Sequence, residues 1–275
     1  MKEIDKIKKA YLYLKKRISI LPETIIVLGS GLGGIVDEVE GGISFPFSKI
    51  PYVKTSTTSS HEGRLVIGTL GGKNVAVMSG RVHLYEDNTP DDVVRLIRVL
   101  YLLGAKRIIL TNSAGAINKD YEVGDVVQIT DHVSLFVPSP LKGDIRREIG
   151  RKLNFVDMSE VYDRSYIDIS KTLAKECDIT YREGVYVQLQ GGQYETPFEI
   201  KLLKKLGCDL VGMSTVIEAI ASVHLGLKVC AFSTVTNMAC GIGDGALSHE
   251  EVKLVAGKVS VKFRSFIKKL VQTIG

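Results

Sequence analysis

The segment Gly29-Ser30-Gly31-Leu32-Gly33-Gly34 follows an apolar run, Thr24–Leu28, that reads as a buried strand. A glycine-rich turn at a strand end exposes backbone N–H groups, which suits a bound anion, and the Ser30 hydroxyl can donate to a phosphate oxygen. Gly29, Gly31 and Gly34 also match the G-x-G-x-x-G dinucleotide fingerprint. That reading needs a βαβ unit and an acidic residue about 20 positions on. Neither is present. Pro51–Ser56 carries no carboxylate, and the runs Arg64–Leu70 and Asn74–Met78 flank Gly71-Gly72-Lys73 as an antiparallel hairpin. A small anion fits better, provided its other ligands come from elsewhere. A strand and turn that bind nothing are the plain alternative.

Other segments offer such ligands. Arg81, His83 and Tyr85 alternate, and in extended backbone they would point one way. An arginine fork and an imidazole suit an anion lying beside a hydroxyl-bearing ligand, although a solvated strand edge has the same pattern. His61 sits after a Ser/Thr-rich stretch that also reads as a surface loop. Tyr194 and Glu195 lie between a strand and a helix start at Pro197. They supply a ring face and an edge acceptor, as a heterocycle needs, while an acid there is also favourable to the helix dipole alone. Asn237 ends the last core strand with an amide, both donor and acceptor, that suits a purine edge. The small residues of Asn112-Ser113-Ala114-Gly115-Ala116 let a ligand approach the backbone. The five histidines lack metal-ligand spacing and no H-E-x-x-H occurs, which argues against a metal site. No G-x-S-x-G elbow supports a serine hydrolase.

These residues need a scaffold. Ile4, Ile7, Tyr11, Leu14 and Ile18 recur at helical spacing. Thr89-Pro90-Asp91-Asp92 starts a helix whose Val93, Leu96, Ile97, Leu100 and Leu103 share a face and which Gly104 ends. Strands are expected at Arg107–Thr111, leading into the small-residue loop, and at Asp125–Thr130, Gly184–Leu189, Leu210–Met213 and Val229–Val235. Helices are expected over 166–176 and from Pro197 to Leu206. Thr215 and Glu218 form a capping box for a helix ending near Gly226, and Ser248-His249-Glu250-Glu251 opens a C-terminal one. Residues 137–165 are irregular and read as a long functional loop. Strands alternating with helices predict an α/β protein with a largely parallel sheet, and ligands at the strands' C-terminal ends. Ser30, Ser113, Tyr194, Met213 and Asn237 all fall at such ends. No linker or composition break divides the chain, so a single domain over 1–275 is expected.

The net charge of +5 lies largely in lysine-rich helical ends. No basic run interleaves with aromatics, so nucleic acid is an improbable partner on composition. No run reaches the roughly 18 apolar residues a membrane span needs, and the N-terminus has no apolar signal core. Four cysteines without C-x-x-C spacing read as reduced thiols, Cys208 and Cys230 buried. A soluble, cytoplasmic chain is expected.

Taken in order from Ile25 to the C-terminal helix, the motifs resemble those of purine nucleoside phosphorylases, and more closely their trimeric branch. They are Gly-Ser-Gly-Leu-Gly from 29, Ser-x-His-x-Gly-Arg-Leu from 59, Gly-Arg-x-His-x-Tyr-Glu from 80, Thr-Asn-x-Ala-Gly from 111, Tyr-Glu-Thr from 194, Val-Gly-Met-Ser-Thr-Val from 211, Thr-Asn from 236 and His-Glu-Glu-Val from 249. The resemblance implies the phosphorylase/hydrolase-like fold, a three-layer α/β/α sandwich around a central mixed, largely parallel and partly barrel-like sheet. It implies that Ser30, Arg81, His83, Ser214 and the backbone at Ser113 hold phosphate, with His61 closing over it. Tyr85, Met213, His249 and Tyr186 would meet the ribose, joined by Phe155 from a neighbouring subunit of a trimer. Glu195, Asn237 and Tyr194 would hold the base, with Ala114, Gly115, Val211 and Gly212 lining it, and His83, Glu195 and Asn237 would carry the catalysis. Neither metal nor organic cofactor is implied.

The implied reaction is phosphorolysis of purine nucleosides to free base and ribose 1-phosphate, in purine salvage. A 6-oxopurine offers N1–H to a carboxylate whereas adenine presents a bare N1, so inosine, guanosine and their 2′-deoxy forms are expected over adenosine. Methylthioadenosine phosphorylases carry aspartate at the position of Asn237 and lack the histidine at His249. The alternatives are a methylthioadenosine-type phosphorylase, a hydrolytic nucleosidase, or a non-catalytic Rossmann-like nucleotide-binding protein. The chain departs from the family's usual pattern at Asp87 and Gly192, where glycine and proline are common. It departs again at Ser113, Ala116 and Ile217, where alanine, glycine and proline are usual.

Overall fold

A computed structural model describes residues 1–29, 33–56, 63–151, 155–243 and 249–274; the side chains of 249–256 and 258–260 lie outside that description. The elements in chain order are α1 (Glu3–Lys15), β1 (Thr24–Leu28), β2 (Glu40–Pro46), β3 (Arg64–Leu70), β4 (Lys73–Ser79), α2 (Pro90–Leu102), β5 (Arg107–Ala116), β6 (Val126–Val133), α3 (Ile145–Glu148), α4 (Arg164–Glu176), β7 (Tyr181–Gln188), α5 (Pro197–Lys205), β8 (Leu210–Gly212), α6 (Val216–Leu225), β9 (Lys228–Met238) and α7 (His249–Ile274).

β1 is buried at all five positions and lies parallel to β4 on one side and β5 on the other. Cover on both faces explains its unbroken apolar run. β3 and β4 form the expected hairpin, turning at Gly71 and Gly72, whose φ values of 57° and 79° give the primed turn that suits strand twist. β2 pairs antiparallel with β3, so the glycine loop is followed by meander rather than by a βαβ unit. This removes the structural condition for dinucleotide binding.

β5 organises the rest. Its first half lies between β1 and β9, and at Gly115 and Ala116 it also pairs antiparallel with β8. Through the order β5-β8-β7-β6-β9 and the β5–β9 pairing the sheet closes on itself as a barrel-like ring, from which β1, β4, β3 and β2 extend. Among the described residues the sheet is mixed, with parallel pairings β1–β4, β1–β5, β5–β9, β6–β7 and β7–β8. Antiparallel pairings β2–β3, β3–β4, β5–β8 and β6–β9 are nearly as many, so the parallel majority is narrow.

Successive residues of β5 face opposite sides, as the pleat requires. Ile108 and Leu110 join a cluster with Ile7, Ile97 and Val216 from α1, α2 and α6. Ile109 joins Leu173, Phe263 and Phe266 from α4 and α7. α2 begins at the expected helix start, where Asp92 N donates to Thr89 Oγ1 at 3.2 Å. It also buries Arg95, which the apolar pattern did not reveal; Arg95 bonds Glu3 at 2.6 and 2.8 Å and the Tyr52 carbonyl at 2.6 Å, tying α1 to α2.

Two expectations change. Asn112–Ala116 is not a loop but the second half of β5, hydrogen-bonded to β9. Arg81–Glu86 is not an extended strand edge: after Gly80, at φ 98°, the chain leaves β4 and closes a 3₁₀ turn over Leu84–Glu86.

Candidate active site

The end of β1 and the start of the glycine loop pack against β5. Gly29 N donates to Thr111 Oγ1 at 2.9 Å. A Cβ on Gly29 would stand 2.7 Å from Asn112 Cα and 2.9 Å from the Thr111 carbonyl oxygen, so close strand approach alone demands glycine there. Ser30 and His61 lie outside the described residues.

Arg81 emerges beside this junction, only 2% exposed. Its Nη1 donates to Glu218 Oε2 at 2.9 Å, Thr215 Oγ1 at 3.2 Å and Ser214 Oγ at 3.3 Å. Its Nη2 donates to the carbonyls of Val27 and Thr111. The terminal nitrogens are thus committed to the protein, and Arg81 offers the site positive charge and an ordered Ser214 rather than a free fork. Thr215 and Glu218 were read from sequence only as a helix cap. The cap exists, with Thr215 N donating to Glu218 Oε2 at 2.9 Å, but the same carboxylate is the buried counterion of Arg81. Thr215 is fully buried at φ 86°, ψ −47°, a backbone state that costs a β-branched residue about 1–3 kcal/mol. Strain of this kind, held by buried hydrogen bonds, is characteristic of ligand sites.

His83 and Tyr85 meet although the segment is not a strand: their rings stack at 4.7 Å with planes 12° apart. Glu86, missed by sequence reasoning, fixes His83 by accepting from its backbone N at 2.7 Å and lying 3.2 Å from Nδ1. Ser56 Oγ donates to the other carboxylate oxygen at 2.8 Å. Burial pushes the Tyr85 hydroxyl up to about 12, with Glu86 adding to the shift. Gly191, at φ 81°, has no room for a side chain: a Cβ would meet Met213 Sδ at 2.5 Å and Tyr85 Cδ1 at 3.0 Å. This glycine lets Tyr85 and Met213 share one wall. Tyr186 is fully buried against Gly212, and that burial raises its hydroxyl pKa.

The third group sits where β5, β8 and β9 converge. Gly115 pairs with Val211 and with Asn237. Ala114 pairs with Val235, so Thr236 is an extra residue, a bulge in β9. One inserted residue reverses which face the following side chain occupies, so the bulge sets where Asn237 points. Thr236 Oγ1 donates to Asn237 Oδ1 at 3.1 Å, and Asn237 Nδ2 donates to the Met238 carbonyl at 3.1 Å. A Cβ on Gly115 would stand 3.0 Å from Asn237 Nδ2. The turn carrying Tyr194 and Glu195 docks nearby, since a Cβ on Gly241, just past β9, would lie 3.0 Å from Pro197 Cβ. Glu195 is 9% exposed, and desolvation raises its carboxyl pKa. Among the described residues no hydrogen bond joins it to Asn237; a ligand between them would be their link.

His249 begins α7, but its side chain lies outside the description. Phe155 is 88% exposed and borders a cavity of about 520 Å³ with His132, Val156 and Met158. Among the described residues no group of three His, Cys, Asp or Glu side chains could hold a metal ion. The departures from the motif pattern have local accounts. Asp87 holds the left-handed conformation at φ 59°, which Asp tolerates and glycine prefers. Gly192, at φ 93°, has a backbone no proline can adopt. Ile217 N donates to Gln188 Oε1 at 3.0 Å, a bond a proline would lack. The Ser113 hydroxyl is buried and has no partner among the described residues.

A family model described as "Phosphorylase superfamily" matches residues 23–272. The chain is 39% identical over 267 residues to purine nucleoside phosphorylase 1 of Bacillus subtilis, covering 97% of this chain and 98% of that protein. A crystal structure of the Schistosoma mansoni purine nucleoside phosphorylase with inosine superposes with a TM-score of 0.91 at 35% identity, covering 99% and 97% of the two chains. The same Schistosoma protein with adenosine gives a TM-score of 0.91 at 36% identity, over 99% and 98%.

Proposed function

Since this chain belongs to the purine nucleoside phosphorylase family of the phosphorylase superfamily, we propose that it cleaves inosine, guanosine and their 2′-deoxy forms with inorganic phosphate. The products are the free purine and (deoxy)ribose 1-phosphate, in purine salvage. The observation that carries this reading is the set of groups along the strand ends. The groups are the charged pair Arg81–Glu218 with Ser214, the Tyr85–Met213 wall on Gly191, and the Asn237 amide and buried Glu195 at the far strand ends.

In the reaction the C1′–N9 bond breaks and a phosphate oxygen bonds to C1′. The departing electron pair goes to the purine and leaves the ribose cation-like. Phosphate held by Ser214 and His83 beside the positive charge of Arg81, with Ser30, His61 and the Ser113 backbone completing the site, stabilises that cation and captures it. Tyr85, Met213 and Tyr186 enclose the sugar, and His249 reaches its 5′-hydroxyl. Asn237 disperses charge from the leaving base at N7 and O6, and Glu195 accepts from N1–H. Tyr194 stacks on the base, which Ala114, Gly115, Val211 and Gly212 line. No step calls for a cofactor. When phosphate is omitted, hypoxanthine release from inosine should stop; release at an unchanged rate with free ribose as product would make the protein a hydrolase.

Glu195 accepts most strongly from N1–H when ionised, yet burial favours its neutral form. Activity on inosine should therefore fall on the acid side, with an apparent pKa above the usual carboxylate range. Because the folded-state pKa is raised, this group favours the fold most below its unfolded pKa, and that contribution is lost as pH rises through the folded value. Glu195→Gln should lower kcat/KM for inosine about 10- to 100-fold, the worth of a charged hydrogen bond, without lowering the melting temperature at neutral pH. A loss of stability there would contradict the assignment. Gly115→Ala should push the Asn237 amide aside and cut kcat/KM for nucleoside by about tenfold or more, leaving the phosphate KM unmoved.

Phe155 supports a homotrimer in which this ring enters a neighbour's site, since it stands exposed between β6 and α4, as do Leu135 and Phe136. A monomeric mass at working concentration would contradict it. One sheet running through the chain supports a single domain over 1–275, and the two apolar clusters support the three-layer arrangement. The cysteines are free, in keeping with a cytoplasmic location, and among the described residues no helix is long and apolar enough to cross a membrane.

A further inference from the structure

Proton accounting around Thr215 leads to a role no motif assigns. Its Oγ1 accepts from Asn112 Nδ2 at 2.8 Å and from Arg81 Nη1 at 3.2 Å. A hydroxyl has two lone pairs and one proton. Both lone pairs are taken by groups that can only donate at those atoms, so the Thr215 proton must go to another acceptor, and Ser214 Oγ lies 3.2 Å away. Arg81 Nη1 has two protons: one goes to Glu218 Oε2 at 2.9 Å, and the other is shared between Thr215 Oγ1 at 3.2 Å and Ser214 Oγ at 3.3 Å. The Ser214 lone pairs are then engaged, so its proton is left for an acceptor other than Thr215 or Arg81: a bound phosphate oxygen or the neighbouring Tyr186 hydroxyl.

We infer that Thr215 is a positioning residue that makes Ser214 an obligate hydrogen-bond donor to the bound phosphate. The inference rests on the phosphate-site reading above. It also explains the backbone at φ 86°: that conformation, pinned by the bond from Thr215 N to Glu218 Oε2, brings two consecutive hydroxyls onto one guanidinium. An ordinary helix start would turn them apart. A donor fixed before the ligand arrives costs no reorganisation during the reaction, and it favours unprotonated phosphate oxygens over P–OH.

The test is steady-state kinetics with inosine and phosphate varied separately, beside melting curves with and without phosphate. Thr215→Val keeps the branched shape and removes the hydroxyl; it should raise the phosphate KM roughly tenfold, leave the inosine KM within about twofold, and shrink the phosphate-induced rise in melting temperature. Thr215→Ser should restore the phosphate KM to within about twofold of wild type. Because Thr215 acts through Ser214, Thr215→Val added to Ser214→Ala should raise the phosphate KM by less than about threefold. If Thr215→Val does not fold, Asn112→Ala frees the same lone pair on Thr215 and should also raise the phosphate KM. An unchanged phosphate KM in the folded variants would overturn the inference, as would a full tenfold effect of Thr215→Val in the Ser214→Ala background. Failure of the phosphate-site reading looks different, because wild-type protein would then cleave inosine without phosphate.

Discussion

Asn237→Asp should shift the protein's preference from 6-oxopurine toward 6-aminopurine nucleosides. The amide at the β9 bulge can accept from a protonated N7 and donate to O6, so it stabilises charge as it builds on the leaving base. A carboxylate there can accept only. Toward inosine it loses the donor and faces the O6 lone pairs, and removing one such preorganised donor typically costs about 100- to 1,000-fold in rate. Toward adenosine it gains an acceptor for the 6-amino group. We expect kcat/KM for inosine to fall by about two orders of magnitude while that for adenosine holds or rises. Unchanged selectivity would mean that Asn237 does not read the base. The bond from Thr236 Oγ1 to Asn237 Oδ1 gives this prediction a control, since Thr236→Val should loosen the amide without altering its chemistry.

Arg81→Ala should do the most damage to stability and to phosphate use together. It leaves the Glu218 carboxylate, 1% exposed, without its counterion, and breaking a buried pair in this way costs about 3–5 kcal/mol. The two effects can be separated. Replacing both partners by apolar residues of similar volume, Arg81→Met with Glu218→Leu, removes the orphaned charge and should recover most of the lost stability. Phosphate dependence should not recover with it, because the site's buried cation and the order it imposes on Ser214 are gone. A double variant with near-normal phosphate KM would show that Arg81 is structural only, and a single variant as stable as wild type would show that the pair is not formed.

Much of this was legible in the chain because it depends on neighbours in sequence. The Gly71-Gly72 turn, the Thr89 cap and the all-apolar β1 each follow from a few adjacent residues. Asn237 could be set at a strand end for the same reason. Its orientation could not, because the bulge at Thr236 appears only when β9 is laid against β5. Ring closure was equally hidden: β8 spans three residues, and nothing local says that Leu210–Gly212 pairs antiparallel with the end of β5. Arg81 stands out in the sequence as a candidate anion ligand, but its partners lie 30 to 137 positions away, so its commitment to Thr111, Thr215 and Glu218 does not. Glu218 was recognised only as a cap because the capping box accounted for it fully. The alternation of Arg81, His83 and Tyr85 suggested a strand, yet the rings meet through a 3₁₀ turn. His83 and Tyr85 do come together, but through a turn, since spacing of two does not identify strand without a pairing partner.

Phosphorolysis and selection for the 6-oxopurine edge are both read out by one side-by-side assay. Wild-type protein at saturating phosphate is given inosine or adenosine, with base and ribose 1-phosphate both quantified. We expect a kcat/KM for inosine at least about 100-fold above that for adenosine, because adenine loses the charged bond to Glu195 and the match to Asn237. We also expect ribose 1-phosphate in equal amount to the hypoxanthine released. The Schistosoma relative holds adenosine as well as inosine in crystals, so rates rather than occupancy must be compared. Equal rates on the two nucleosides, or free ribose in place of the phosphate ester, would contradict that expectation.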